Sequence, residues 1–309
     1  MSTRRTAAEL VRSAERFGLR FKSFTLASEG TWTHEDADWN YKDVPHLNEV
    51  HSQADAVPAA IANDFIATIN FQRIAGIPMP IALANYVASD GTQVYYTTLA
   101  CFVLIVETAI DGSAESGDGS IHGRVETTYH IGGPRPALWL FPVLRRILSA
   151  NYRVLMSEDL PMREQRGRLR SAGYRFASDG RPRTFAETTD LTIKNVIRPA
   201  PGHTTPITID LRQLGPEGTT VMVGEATRGL RLVRTADKQV AVFDRVCDHE
   251  GACLDEAAIS RGSLICPWHA KRIKPIGTIQ LEEGPQYVEL GPGCHLVAEG
   301  DRLTVVGLA

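Results

Sequence analysis

Apolar and polar residues of the first half of this chain follow both helical and strand periodicity. Residues 6–17 carry Ala, Leu, Val and Phe at helical spacing with Gly18 behind them, which predicts a short amphipathic helix. A strand is expected over Leu19–Leu26. Two β-rich runs, Ile77–Val87 and Gln93–Ile110, flank a Ser-Asp-Gly-Thr turn signal. They predict an antiparallel hairpin.

The periodicity changes after this hairpin. Gly123–Ile131 alternates like a further strand, whereas apolar residues from Pro136 to Gly167 recur at helical spacing. Breaks near Asn151 and Pro161 predict two helices in that stretch, and strand signals return over Gly173–Thr192. The first part of the chain is therefore expected to be an antiparallel sheet with long helices.

The last third of the chain has a different pattern. A stretch rich in proline and glycine at residues 197–206 predicts a linker. Short strand signals follow it to the C-terminus, which is typical of a small all-β domain. We therefore expect an α+β protein with domains at residues 1–198 and 207–309.

Composition excludes several classes of function. The 309 residues carry a net charge of −3 and a pI near 6.3, so the chain lacks the basic footprint of a nucleic-acid-binding protein. The longest apolar run, Ala137–Leu144, is far shorter than a transmembrane helix. The N-terminus has no apolar core of signal-peptide length, and five cysteines do not form an even set for disulfides. A cytoplasmic protein is expected.

The pattern most typical of a particular chemistry lies in the second domain. Cys247 and His249 form Cys-x-His, and after sixteen residues Cys266 and His269 form Cys-x-x-His. Two short loops with one thiolate and one imidazole each suit a two-iron cluster with mixed ligands. A tetrahedral zinc site with two Cys and two His ligands is the alternative, although zinc fingers usually pair Cys with Cys and His with His.

These spacings resemble the motif of Rieske proteins. The resemblance implies a [2Fe-2S] cluster bound by Cys247, His249, Cys266 and His269, with an imidazole edge exposed so that the electron can leave. Respiratory Rieske proteins add a disulfide between the loops, whereas this chain has Trp268 in the second loop. The resemblance is therefore to the low-potential type found in oxygenases and Rieske ferredoxins.

A second motif lies in the first domain. Asp43, His46 and His51 are spaced as Asp-x2-His-x4-His, and Asn40 precedes them. Two histidines five residues apart can converge on a metal, and a neighbouring carboxylate can support them. Two such histidines are also common as ordinary surface or core residues, so the residues alone leave both interpretations open.

The same motif occurs in Rieske non-haem iron oxygenases, which this chain resembles with the domain order reversed. The resemblance implies that His46 and His51 bind mononuclear Fe(II) and that Asp43 links His46 to a Rieske histidine. It also implies a later carboxylate ligand, for which Asp159 is the first candidate. Glu158 and Asp190 are the other candidates for the third ligand, and an ordinary helix-capping role for these acids stays open.

The resemblance implies an enzyme that oxidises a small, largely apolar substrate with O2. Electrons would come from a ferredoxin or an NAD(P)H-dependent reductase, because the chain has no Gly-x-Gly-x-x-Gly motif for a nucleotide of its own. Domains of such oxygenases exchange electrons between neighbouring subunits, so a homo-oligomer is expected. Arg145, Arg146 and the arginines of residues 163–170 predict a basic helix face, either solvated or a docking surface for an acidic ferredoxin.

An alternative function follows from the first domain, which resembles the helix-grip fold of lipid- and polyketide-binding proteins. Such a domain holds an apolar ligand between its sheet and its long helix. The alternative is therefore an electron carrier or redox-responsive protein, in which a ligand-binding domain without a second iron is fused to the cluster domain.

Overall fold

The computed structural model describes residues 4–74, 76–99, 101–111, 121–199, 205–235, 239–281, 284–291 and 293–307. Contacts divide the chain into two units: Met1–Gly167 with Ser178–Ile193, and Arg168–Ala177 with Lys194–Ala309. The sequence analysis assigned residues 168–177 to the first domain, whereas their packing belongs to the second unit. Of the expected linker, residues 200–204 lie outside the described residues.

The first unit is built on a seven-stranded antiparallel sheet with strand order β1-β7-β6-β5-β4-β3-β2. The expected hairpin is confirmed, and its second run forms two antiparallel strands rather than one. The strands are β1 (Arg20–Gly30), β2 (Ala54–Ala62), β3 (Phe65–Ile74), β4 (Ile77–Val87), β5 (Gln93–Leu99), β6 (Phe102–Asp111) and β7 (Gly123–Gly133).

Five α-helices accompany the strands in the described residues. They are α1 (Ala7–Arg16), α2 (His34–Lys42), α3 (Leu47–Val50), α4 (Phe141–Ser171) and α5 (Phe185–Thr189). Thr6 and Glu9 form a capping box that starts α1 where the sequence predicts it. The antiparallel sheet and the long helix α4 confirm the predicted α+β, helix-grip-like fold.

Helix α4 differs from its prediction. The sequence predicts two helices with breaks near Asn151 and Pro161, but the structure has one helix of 31 residues that contains Pro161. An interior proline costs a helix about 3 kcal/mol because it lacks an N–H donor. Here the apolar face of α4, including Tyr152 and Met156, packs against Tyr129 of the sheet. Packing of this face offsets the local preference for a break.

The strands predicted over residues 173–192 are largely absent. That stretch contains only β8 (Arg175–Phe176), which pairs with β9 (Val196–Ile197), and helix α5. Thr184 and Glu187 form a capping box at the start of α5. The prediction was wrong here because local capping fixes a helix in a stretch whose composition favours strands.

The second unit is all-β beyond residue 206, as predicted. Three sheets have the orders β10-β20-β19-β18, β11-β12-β13-β17 and β14-β15-β16. Alternate residues of these short strands, such as Leu232, Val240 and Leu296, meet in one apolar core. The strands are β10 (Ile207–Asp210), β11 (Thr220–Val223), β12 (Leu230–Thr235), β13 (Gln239–Asp244), β14 (Ala258–Ser260), β15 (Ser263–Ile265), β16 (Arg272–Ile273), β17 (Gly277–Gln280), β18 (Gln286–Gly291), β19 (Cys294–Glu299) and β20 (Arg302–Val306).

Membrane-spanning helices were also searched for. Among the described residues, none of the helices is both long enough and apolar enough to cross a bilayer.

Candidate metal centres

The loop that begins at Cys247 is closed by backbone hydrogen bonds. The Cys247 N–H donates to the Ala252 carbonyl at 2.9 Å, and the Cys247 carbonyl accepts from the Gly251 N–H at 3.1 Å. Gly251 has a φ of +90°, which glycine adopts without strain. A Cβ added there would lie 2.6 Å from Leu169 Cδ1. The turn therefore requires glycine, and it fixes the position of His249 relative to Cys247.

The loop that begins at Cys266 repeats this construction. The Cys266 N–H donates to the Lys271 carbonyl at 2.9 Å, and the Ala270 N–H donates to the Cys266 carbonyl at 3.0 Å. Ala270 has a φ of +48° at the position that glycine holds in the first loop. Two loops of the same geometry therefore each present one thiol and one imidazole, the latter from His269 in this loop.

The four side chains of these loops converge. His249 Nδ1 and His269 Nδ1 are 3.3 Å apart, a distance at which two ring nitrogens share one proton or one bound partner. A hydrogen bond between the sulfurs lowers the pKa of Cys247 and raises that of Cys266. Backbone N–H groups of the loops also donate to both sulfurs, which stabilises thiolates. Two sulfurs and two imidazoles that face one another suit a two-iron cluster.

Both imidazoles of these loops are buried in the chain. His249 is 0% and His269 is 5% exposed. Part of the cover is the chain around Asn195, whose N–H donates to the His249 carbonyl at 3.1 Å and whose Nδ2 donates to Glu250 at 2.9 Å. An imidazole edge that is open to solvent or to a partner stays a prediction.

Three predicted metal ligands of the first unit meet at one point. His46 Nε2 lies 3.1 Å from His51 Nε2, and both nitrogens lie 3.2 Å from Asp159 Oδ1. The ligand atoms of the three residues are all within 4.8 Å of one another, and all three side chains are buried. Three atoms with lone pairs that face one another at this spacing fit a bound cation.

Short elements position the two histidines. His46 is the last residue of a short 3₁₀ helix, Val44–His46, which has Pro45 near its start. His51 follows the one-turn helix α3 in an extended conformation, with φ −85° and ψ +122°. Both Nε2 atoms approach the same place, each 3.2 Å from Asp159 Oδ1. Asp159 reaches that place from the middle of α4.

Two carboxylates support the histidines from outside. Glu158 Oε2 lies 2.8 Å from His51 Nδ1, within hydrogen-bond distance, whereas Asp43 Oδ2 lies 3.6 Å from His46 Nδ1 and contributes a charge contact rather than a hydrogen bond. A carboxylate at Nδ1 holds the proton on that nitrogen and leaves Nε2 as the electron donor. Glu158, a fallback ligand in the sequence analysis, thus contacts the far side of His51 instead of joining the three-atom cluster.

Asp159 is held by a buried chain of hydrogen bonds that sequence reasoning did not find. Asn40 Nδ2 donates to Asp159 Oδ1 at 3.1 Å, and Arg163 Nε donates to Asn40 Oδ1 at 2.7 Å. The Arg163 guanidinium also lies 4.5 Å from the Tyr41 ring centroid. The predicted basic face is therefore wrong for Arg163 and Arg166, which are fully buried. The one available signal was the i, i+4 spacing of Asp159 and Arg163 on one helix face.

The electrostatics of this cluster favour a cation. Burial lowers the pKa of His46, but the hydrogen bond to Asp159 and the contact with Asp43 outweigh it and raise the pKa to about 10. Burial likewise raises the pKa of Asp159, whereas hydrogen bonds from His46 and His51 hold it well below its usual range. The ionised carboxylates therefore attract a positive charge, which a metal can supply in place of a proton.

These residues form one wall of a cavity of about 210 Å³. The inner face of the sheet and helix α4 form its other walls, through residues such as Leu83, Val106, Tyr129 and Met156. Asp190, the remaining fallback ligand, does not line this cavity, and its Oδ1 accepts hydrogen bonds from Thr192. The helix-grip geometry thus places the three-atom cluster inside a ligand-sized space.

Comparison with known families identifies the second unit. Residues 208–291 match the model of the Rieske [2Fe-2S] domain. The chain therefore carries a Rieske domain after its helix-grip-like unit, and the cofactor that this supports is a [2Fe-2S] cluster used in electron transfer. None of the five cysteines, all within the described residues, forms a disulfide. A comparison with curated proteins found no match.

Solved structures similar to the first unit include two bacterial proteins. The START superfamily protein from Mycobacterium smegmatis is 11% identical over 46% of this chain and 97% of its own, with a TM-score of 0.39. The Zhui aromatase/cyclase from Streptomyces sp. R1128 is 8% identical over 48% and 96%, with a TM-score of 0.41. Similarities this low carry no conclusion about function, and the fold assignment rests on the strand order and helix α4.

Proposed function

We propose that this protein is the oxygenase component of a Rieske non-haem iron system. It would use O2 and electrons from an NAD(P)H-dependent reductase or a ferredoxin to hydroxylate or oxidise a small organic substrate. The observation that carries the proposal is the convergence of His46, His51 and Asp159 on one point of an internal cavity, in a chain that also has a Rieske domain.

The donor set fits mononuclear Fe(II). Two histidines and one carboxylate on one face of the metal are the ligands of many non-haem iron oxygenases, and such an iron keeps positions open for O2 beside a substrate. Zinc accepts a similar set in hydrolases. The accompanying Rieske domain favours iron, because a one-electron donor serves redox chemistry and has no use in hydrolysis.

The surrounding residues would act on the ligands. Glu158 would keep the Nδ1 proton of His51 in place, and Asp43 would do the same for His46. Asn40 would hold one Asp159 oxygen and so fix the direction of the carboxylate. The role of Asp43 as an electron bridge between a Rieske histidine and His46 stays a prediction, as does the homo-oligomer in which neighbouring subunits would exchange electrons.

The second candidate function is an electron carrier fused to a ligand-binding domain. The cavity favours it as much as it favours an oxygenase, because a ligand site needs no metal. In that case His46, His51 and Asp159 would form a buried hydrogen-bonded cluster. This function predicts two iron atoms per chain, whereas the oxygenase predicts about three.

Metal analysis of anaerobically purified protein separates the two functions. We expect about three iron atoms per chain, with one lost in His46→Ala and the paramagnetic signal of the reduced cluster unchanged. An iron content of two atoms per chain that does not change in His46→Ala would establish the carrier instead. Stoichiometric zinc in the first unit would contradict the oxygenase as well.

A further inference from the structure

The inner face of strand β3 is unusually polar for a wall of an internal cavity. Thr68 and Asn70 point inward and are 4% and 5% exposed, whereas Ile69 and Phe71 point outward and are 43% and 51% exposed. Strands of a half-buried sheet normally show the reverse arrangement. The inversion places hydrogen-bonding groups where apolar core residues would be expected.

The amide oxygen of Asn70 has no hydrogen-bond partner among the described residues. Its Oδ1 is fully buried and unsatisfied, and the side chain lines the cavity that contains His46 and His51. Buried polar groups in native proteins are nearly always paired, because an unpaired one loses its hydration without replacement. An unpaired amide in a cavity wall therefore indicates that a ligand supplies the missing partner.

The opposite walls restrict what that ligand can be. Apolar side chains of Leu83, Val106, Leu155 and Met156 face the same space, so most of the ligand surface is expected to be apolar. The volume of about 210 Å³ is below the range of about 300–1,000 Å³ for drug-sized ligands. One or two fused rings suit this space better than an extended polycycle.

A second polar group on strand β4 repeats the pattern. Asn85 Nδ2 donates to the Tyr41 carbonyl at 3.4 Å, but Asn85 Oδ1 is buried without a partner. Asn85 also lines the cavity. The cavity thus offers two buried amide oxygens that can each accept a hydrogen bond from a ligand hydroxyl.

We propose that Asn70 determines substrate specificity by binding a hydroxyl group on a small, otherwise apolar aromatic substrate. The proposal rests on the proposed function only in taking this cavity as the substrate site. The aromatic body would pack against the apolar walls, and its hydroxyl would donate to Asn70 Oδ1. The substrate class is therefore a phenol or naphthol rather than a plain hydrocarbon.

Binding of 1-naphthol and naphthalene to the full-length protein tests this proposal. Titration calorimetry without reductant avoids turnover. Because naphthalene is the more apolar ligand, burial alone would favour it, so a preference for naphthol must come from hydrogen bonding. We expect wild-type protein to bind 1-naphthol about tenfold more tightly than naphthalene.

The variant Asn70→Leu has a similar volume and no hydrogen-bonding group. It should lose the preference through weaker naphthol binding, with naphthalene affinity kept or improved. Asn151→Leu, on α4 outside the cavity lining, serves as the matched control and should keep the preference. Unchanged melting of Asn70→Leu would show that the variant folds.

Two outcomes would overturn the inference: no preference in wild type, or a preference that persists in Asn70→Leu, including one that persists there but is lost in His46→Ala. That last pattern would mean that a metal at His46 binds the hydroxyl. Affinity and iron content are measured separately, so the inference can fail while the oxygenase stands. An iron content of two would contradict the oxygenase whatever the affinities show.

Discussion

The two candidate metal centres are built in opposite ways. In the Rieske loops, each Cys and its His are two or three residues apart on a turn closed by its own backbone hydrogen bonds. In the first unit, by contrast, Asp159 lies 108 residues after His51 in the sequence and reaches the site from helix α4. The first geometry is local, whereas the second depends on the whole fold of its unit.

This difference determines how each centre should respond to damage. A local turn keeps its shape when distant packing weakens, because its hydrogen bonds lie within a few residues. A cluster assembled from a turn and a helix loses its geometry as soon as the helix shifts. We therefore expect the two centres to be lost independently, and the following experiments test that independence.

The largest effect is expected from Cys266→Ser. Loss of one thiolate should remove the [2Fe-2S] cluster, its visible absorption and all turnover, while one iron stays in the first unit. Iron analysis and spectroscopy of the reduced protein measure both centres in one sample. If the variant lost all of its iron, the centres would not be independent.

The reciprocal change is Asp159→Ala. It removes the only carboxylate of the three-atom cluster, so we expect loss of the mononuclear iron and at least a roughly thousandfold fall in turnover, with the cluster signal intact. Asp190→Ala is the control and should keep the iron, because Asp190 does not line the cavity. Normal activity in Asp159→Ala would exclude it as a ligand.

How far the sequence could predict each centre follows from the same difference. The Cys and His of each Rieske loop are close in sequence, so spacing alone was enough to propose Cys247 and His249 as ligands. His46 and His51 were proposed by spacing too, but no periodicity could show that Asn40 and Arg163 hold Asp159. Those contacts exist only because α4 is one continuous helix, and its local breaker Pro161 predicted the opposite.

A smaller effect is expected from the residues behind the histidines. Glu158→Gln replaces the carboxylate at His51 Nδ1 with a neutral amide and should weaken iron binding about 10- to 100-fold without abolishing it. Competition with a chelator measures the affinity. Asp43→Asn should act similarly through His46, and if it stops turnover while both centres stay loaded, the predicted electron bridge gains support.

The turn geometry of the two Rieske loops can be compared directly. Gly251→Ala should destabilise the protein by about 1–3 kcal/mol, because it adds both a strained φ and a Cβ close to Leu169. Ala270→Gly should be neutral or stabilise by up to about 1 kcal/mol, since glycine relieves the strain of φ +48°. Melting temperatures of the paired variants measure the difference. If both substitutions changed the melting temperature by the same amount and in the same direction, the two loops would not share this turn geometry.

The smallest effect concerns the ion pair at the base of the first Rieske loop. Arg245 donates to both oxygens of Asp255 at 2.7 and 2.5 Å, and this hydrogen bonding lowers the pKa of Asp255. A lowered carboxyl pKa adds stability above the unfolded value of about 4, and that stability is lost as the pH falls through the folded value. After solvent screening, Asp255→Asn should cost about 0.5–1 kcal/mol at pH 7.

The pH dependence distinguishes this ion pair from simple packing. The difference in melting temperature between wild type and Asp255→Asn should stay nearly constant from pH 7 to about 4 and shrink below that, as the pH falls through the lowered pKa of the folded carboxyl. Asp301→Asn removes an exposed charge 3.9 Å from Arg212 and should leave melting unchanged at every pH. A difference for Asp255→Asn that stayed constant below about pH 4 as well would mean that shape, rather than charge, stabilises this loop. Backbone geometry alone would then stabilise the first Rieske loop, whereas the site around His46 depends on charged side chains.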